Sequence, residues 1–134
     1  MSFKGNSKIA LISQAPGLKA HNSGIPFDDP SGRRLRDWLG VNEQVFYEPS
    51  NFAILPMAFC YPGKGESGDL PPLKECRKLW DTPLAKTLKE PKLYILIGKY
   101  AQDHVLKDES KTLTENVKNW KEHLKNNYLP IPHP

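Results

Sequence analysis

Ile9-Ala10-Leu11-Ile12-Ser13-Gln14-Ala15-Pro16-Gly17 is the stretch whose interpretation decides the fold. Its first half is apolar without alternation, as in a strand covered on both faces inside a parallel sheet. The run then breaks into a polar turn that carries Pro16 and Gly17. Ligands of open α/β sheets collect where such strands end, so residues 13 to 17 form the first candidate site. A turn that merely ends a core strand is the competing possibility on this pattern alone.

The 134 residues suit one domain. Hydrophobic residues make up 38% of the chain and prolines number 13, which predicts an ordered but loop-rich globule. No apolar run approaches the ~20 residues that span a bilayer, and the first residues show no secretory pattern. The expectation is a soluble, cytoplasmic protein with no membrane partner. Cys60 and Cys76 are the only cysteines and form no tight pair, so neither a disulfide framework nor a four-Cys metal site is encoded. No cofactor and no metal are expected. A formal net charge of +4 permits a phosphate-rich partner without demanding one. Arg33, Arg34 and Arg36 cluster on one segment, whereas the later lysines alternate with acids as on a solvated surface.

In chain order, residues 8 to 13 form strand one. Residues 18 to 30 lack an apolar period and are expected to be a loop, with Phe27 either plugging the nearby core or meeting a ligand. Ser31 is placed as the N-cap of a helix burying Leu35, Trp38 and Leu39 and stopped by Gly40. Phe52 to Met57 form a second strand, whose Pro56 suits a strand end or sheet edge. Tyr61 to Gly68 are expected to be a flexible loop. Pro71 or Pro72 opens a helix through Leu73, Cys76 and Trp80, with a restart capped by Thr82. Leu93 to Ile97 form a third strand, and Gly98 turns the backbone into a helix carrying Ala101, Val105 and Leu106. A last helix from Thr112 to Thr114 onward presents Leu113, Val117, Trp120 and Leu124 as one stripe, and Tyr128 onward forms a fourth strand ending at His133. His104 and His123 fall on helices and are taken as structural. Strands alternating with helices predict a three-layer α/β/α domain built on a four-stranded parallel sheet.

The order Ser13-Gln14-Ala15-Pro16-Gly17, Gly24-Ile25-Pro26-Phe27, Ser31-Gly32, Cys60-Tyr61-Pro62-Gly63, Ile97-Gly98-Lys99-Tyr100-Ala101 and His133-Pro134 resembles the uracil-DNA glycosylase superfamily over the whole chain. Each motif alone is common; their order and their places at strand ends make the match specific. The resemblance implies base-excision repair: hydrolysis of the N-glycosidic bond of uracil or another damaged base, flipped out of DNA that is single-stranded or damaged, by a monomeric enzyme. It implies that Phe27 stacks on the base and that Gln14, with the backbone amides of the turn from Gln14 to Gly17 in which Ala15 and Pro16 lie, holds the base carbonyl and the attacking water. It implies that His133 bonds the base oxygen as charge develops. Pro56 and Met57 fall beside the base in the same correspondence. His21, Ser31 and Arg33 are candidate phosphate contacts.

The turn is most like the branch carrying Gly-Glu-Ala-Pro-Gly, with four departures. Ala15 stands where better-known branches hold a water-activating aspartate or an asparagine, and Gln14 replaces the glutamate. Asp28 and Asp29 are then the nearest carboxylates for activating water, helix capping being their alternative role. Pro56 stands where an asparagine reads the base edge, which weakens discrimination between bases. Cys60 and Cys76 match the last two of four iron–sulfur ligands, the earlier pair being absent. The family pattern continues beyond His-Pro into a minor-groove wedge, so a single domain truncated at its C-terminus is expected for residues 1–134. Two alternatives stand beside the enzyme: a catalytically inactive glycosylase-like domain that binds nucleic acid or a base, and an unrelated α/β domain in which Gln14, Phe27 and His133 do not converge.

Overall fold

A computed structural model describes residues 5–59, 61–75, 88–89 and 91–134. Four parallel strands form the main sheet: β1 (Ile9–Ser13), β2 (Phe52–Pro56), β5 (Leu93–Ile97) and β6 (Tyr128–Ile131), in the order β2-β1-β5-β6. Between β2 and β5 the chain makes a two-stranded hairpin of β3 (Lys64–Gly65) and β4 (Gly68–Asp69). Six helices are described: α1 (Leu18–Ser23), α2 (Pro30–Leu39), α3 (Glu43–Phe46), α4 (Gly98–Leu106), α5 (Leu113–Lys118) and α6 (Trp120–Leu124). The four-stranded parallel sheet with helices around it is the expected α/β architecture.

Strand register puts Ile9, Leu11, Phe52, Ile54, Leu93, Ile95, Ile97 and Ile131 on one face, because alternate residues of neighbouring strands stand side by side. That face meets Leu35 and Leu39 of α2 and Phe46 of α3 in the principal core cluster. Residues of opposite parity, Ala10, Ala53 and Leu96, are fully buried too, so the strands are covered on both faces as their apolar runs require. The prolines of the sheet lie on its edges, Pro56 at the end of β2 and Pro130 within β6, where a missing N–H costs least.

Topology also fixes where a ligand would sit. From β1 the chain goes out to β2 on one side and returns to β5 on the other, so the order reverses between β1 and β5. The crevice outside the carboxyl ends of those strands is the expected binding place.

Several local expectations are corrected. Residues 18–23 are helical: Gly17 is the N-cap without a side-chain cap, Gly24 at φ 71° closes the helix, and only Ala20 is buried, so neither cap residue type nor periodicity announces it. The N-cap of α2 is Asp29, whose Oδ1 accepts from the Gly32 N–H at 2.8 Å, with Pro30 as first helical residue; Ser31 lies inside the helix. Trp38 leaves the buried face and is 50% exposed, because α2 meets the sheet through Leu35 and Leu39. Tyr61 to Gly68 include the β3–β4 hairpin rather than a plain loop. The final helix breaks at Asn119, and Trp120 and Leu124 are exposed. Its inward residue is polar: Asn116 donates to Gln102 Oε1 at 3.1 Å, and Gln102 donates to the carbonyls of Leu96 and Ile131. The expected helix through Cys76 and Trp80 with its restart at Thr82 lies outside the described residues, apart from its first positions, as do Cys60 and Cys76 themselves.

Candidate active site

β1 delivers Ser13 to the carboxyl edge of the sheet, and the chain turns through Gln14 to Gly17 into α1, whose first turn is closed by the His21 N–H donating to the Gly17 carbonyl at 2.9 Å. The neighbouring strand end is tied in by the Met57 N–H, which donates to the Ser13 carbonyl at 2.7 Å. At the end of β5, Gly98 turns into α4 at φ 82°, a left-handed conformation that favours glycine. A Cβ there would lie 3.9 Å from Gln14 Oε1 and 3.8 Å from His133 Cβ, so Gly98 sits between two side chains from separate strand ends. His133 follows β6, and its Nδ1 lies 3.2 Å from the Pro134 carbonyl oxygen, leaving Nε2 as the ring nitrogen free of that contact.

Phe27 arrives on a tight turn between α1 and α2. Its backbone is left-handed, φ 59°, uncommon for a bulky residue. The turn is backed by Gly32 on α2, where a Cβ would stand 1.8 Å from the Phe27 carbonyl oxygen. Arg36, in sequence one member of the cluster with Arg33 and Arg34, turns inward and is 8% exposed; it donates to the Phe27 carbonyl at 3.3 Å. Arg33 and Arg34 stay exposed on α2.

These elements enclose a cavity of about 110 Å³. Its walls include Gln14, Ala15, Pro16 and Gly17 from the first turn, Phe27 from the turn before α2, Asp29 and Ser31 from the start of α2, Pro56 from β2, and His133 from beyond the end of β6. Asp29 is divided in its duties: Oδ1 caps α2, while Oδ2 lies 3.8 Å from where a Cβ of Gly17 would be. Met57, Asp28, His21 and Arg33 are not among the cavity's lining residues. His21 is engaged by the hairpin approach instead, its Nδ1 accepting from the Tyr61 N–H at 3.3 Å.

One carboxylate in the wall was not singled out from sequence. Asp69 comes from β4 and accepts from the Tyr61 hydroxyl at 3.0 Å; partial desolvation and then this carboxylate push the Tyr61 phenol up from its ordinary value. The available signal was the turn chemistry of Gly65-Glu66-Ser67-Gly68 between two short arms. Among the described residues no group of three or more His, Cys, Asp or Glu is placed to hold a metal ion, and no helix is long and apolar enough to cross a membrane.

Gln14, Phe27 and His133, from three separate segments, thus meet in one cavity at the switch point of the sheet, which an accidental agreement of motifs would not produce. The family model of the uracil DNA glycosylase superfamily matches residues 2–134. With the parallel sheet and the converging strand ends, that match over almost the whole length shows that this chain belongs to the uracil-DNA glycosylase superfamily.

Proposed function

We propose that this protein is a DNA base-excision glycosylase that hydrolyses the N-glycosidic bond of uracil or another damaged base, acting as a monomer. The observation that carries the proposal is the convergence of Gln14, Phe27 and His133 on a single cavity. Membership of the superfamily supports a glycosylase-like role acting on DNA.

In this mechanism the target base is flipped out of the strand, since its reacting atom is inaccessible in a stacked helix. Phe27 supplies the apolar face on which the base stacks, and Gln14 with the turn amides holds its carbonyl and the attacking water. Pro56 closes the side of the pocket without a hydrogen bond. Water adds to C1′ of the deoxyribose as the bond from C1′ to the base nitrogen breaks, and the electron pair leaves with the base. His133 Nε2 donates to the base oxygen on which that negative charge collects. Asp29 Oδ2 accepts the water proton, its Oδ1 being committed to Gly32 and Ala15 having no group for the task. Ser31 at the cavity wall, with His21 and Arg33 outside it, contacts the phosphates on either side.

The absence of a side-chain base at Ala15 and of an edge-reading amide at Pro56 favours one competing function, a domain that binds DNA or a base without hydrolysis. Incubation with single-stranded and mismatched oligonucleotides carrying uracil, hypoxanthine or xanthine, followed by alkaline cleavage of abasic sites, separates the two. The enzyme predicts strand breaks at the modified base. The binding domain predicts salt-sensitive affinity with no product, and failure to release any of the three bases at high enzyme sinks the proposal.

A further inference from the structure

Phe27 is held in a backbone conformation that a bulky side chain rarely adopts, so other groups must be holding it there. Two of them stand outside the cavity wall. The Tyr47 hydroxyl donates to the Pro26 carbonyl at 2.8 Å, and Arg36 Nη1 donates to the Phe27 carbonyl and to the Tyr47 hydroxyl, both at 3.3 Å. The two carbonyls on either side of the Phe27 Cα are thereby fixed by one connected pair of side chains. Arg36 is itself clamped: its guanidinium lies 5.4 Å from the centre of the Phe46 ring and 5.7 Å from that of Tyr47, and Nη2 is 3.6 Å from Glu43 Oε1. Phe46 in turn stands edge to face with Phe27, ring centres 6.0 Å apart at 86°.

Burying a guanidinium is costly unless it is fully engaged, and a helix-surface arginine serving solubility alone would point outward. Here Nη1 makes both hydrogen bonds of the turn while Nη2 faces Glu43, so the planar guanidinium ties the turn to α3. We infer that Arg36 and Tyr47 are positioning residues, whose hydrogen bonds to the Pro26 and Phe27 carbonyls hold the left-handed turn that presents the Phe27 ring to a flipped base. This inference rests on the stacking role given to Phe27 above. Neither residue touches the base; both act through Phe27.

The test is a double-mutant cycle of Tyr47→Phe with Phe27→Ala, because two residues acting through one contact are not additive. Two single-stranded oligonucleotides are compared by fluorescence anisotropy, one with uracil and one with a tetrahydrofuran abasic analogue at the same place. Base release from the uracil strand is timed in parallel. Loss of one hydrogen bond predicts that Tyr47→Phe lowers both the preference for the base-bearing strand and the rate of release by about 3- to 10-fold. In the Phe27→Ala background the same change should have almost no effect. Arg36→Met, which keeps the stem but removes the fork, should follow the same pattern.

A general loss of folded protein would weaken binding of both strands alike, so the preference between them separates positioning from stability. Equal losses in the two backgrounds, or an unaltered preference in Tyr47→Phe, would overturn the inference. A wild-type protein that releases no base from any strand counts against the glycosylase function instead. In that case the NMR signals of the Phe27 amide and ring still decide: Tyr47→Phe must shift them, and unshifted signals refute the clamp.

Discussion

Gly32 shows how narrowly one residue can be constrained. A methyl group at this position would stand 1.8 Å from the Phe27 carbonyl oxygen and 2.7 Å from its Cβ, and neither backbone can yield without moving the turn. Gly32→Ala should therefore cost roughly 2–3 kcal/mol or more, despite the usual helix-favouring effect of alanine, measured as a fall in the urea midpoint at unchanged m-value. Tyr47 carries a different signature. Burial pushes its phenol up from the ordinary 10.0, with Arg36 pulling the other way. A raised acid favours its neutral form on folding, so this contribution is complete below the unfolded value and is lost as pH climbs through the folded one. Thermal unfolding across that alkaline range should show a decline in wild-type stability that is shallower in Tyr47→Phe. Arg36 was legible only as part of a basic cluster, because a charge pattern in sequence does not say which way a side chain points.

At the scale of elements, the polar knot between α4, α5 and the last two strands stands out. Gln102 is fully buried, donates to carbonyls of β5 and β6, and accepts from Asn116 of α5. Gln102→Leu strands two carbonyls and the Asn116 amide, and should lower stability by about 3 kcal/mol in urea denaturation, since buried groups left unpaired cost more than the bond itself gained. At the start of α5, Thr112 and Glu115 form a reciprocal capping box, and Thr112→Ala should cost about 1 kcal/mol. The four main strands were readable because each is a short apolar run ending in a turn residue. The helix α1 was not, as a glycine cap and one buried alanine leave little pattern. The stripe Leu113, Val117, Trp120 and Leu124 suggested one apolar face, yet the chain bends at Asn119 and buries Asn116 instead. Periodicity detects a face only when that face is apolar.

For the molecule as a whole, the order β2-β1-β5-β6 gathers residues from positions as far apart as Gln14 and His133 at one edge. The strand ends that carry Gln14 and His133 to the cavity were legible because each strand is a recognisable apolar run, and the resemblance singled out the two side chains; Asp69 had neither signal, as it reaches the cavity on a two-residue strand of a hairpin. The net charge of +4 favours association with a polyanion. Affinity for single-stranded DNA should fall as salt rises, and Arg33→Gln should reduce the slope of log K against log salt by about 0.7 if Arg33 contacts one phosphate. An unchanged slope would remove Arg33 from the interface. Single-turnover release of uracil from a single-stranded oligonucleotide, by the wild type and by His133→Ala, measures the base-excision reaction itself. A base-excision site predicts release by the wild type and a rate lowered about 10²- to 10³-fold in the variant, as for loss of one oxyanion donor. Equal rates in the two proteins, or no release by either, would contradict it.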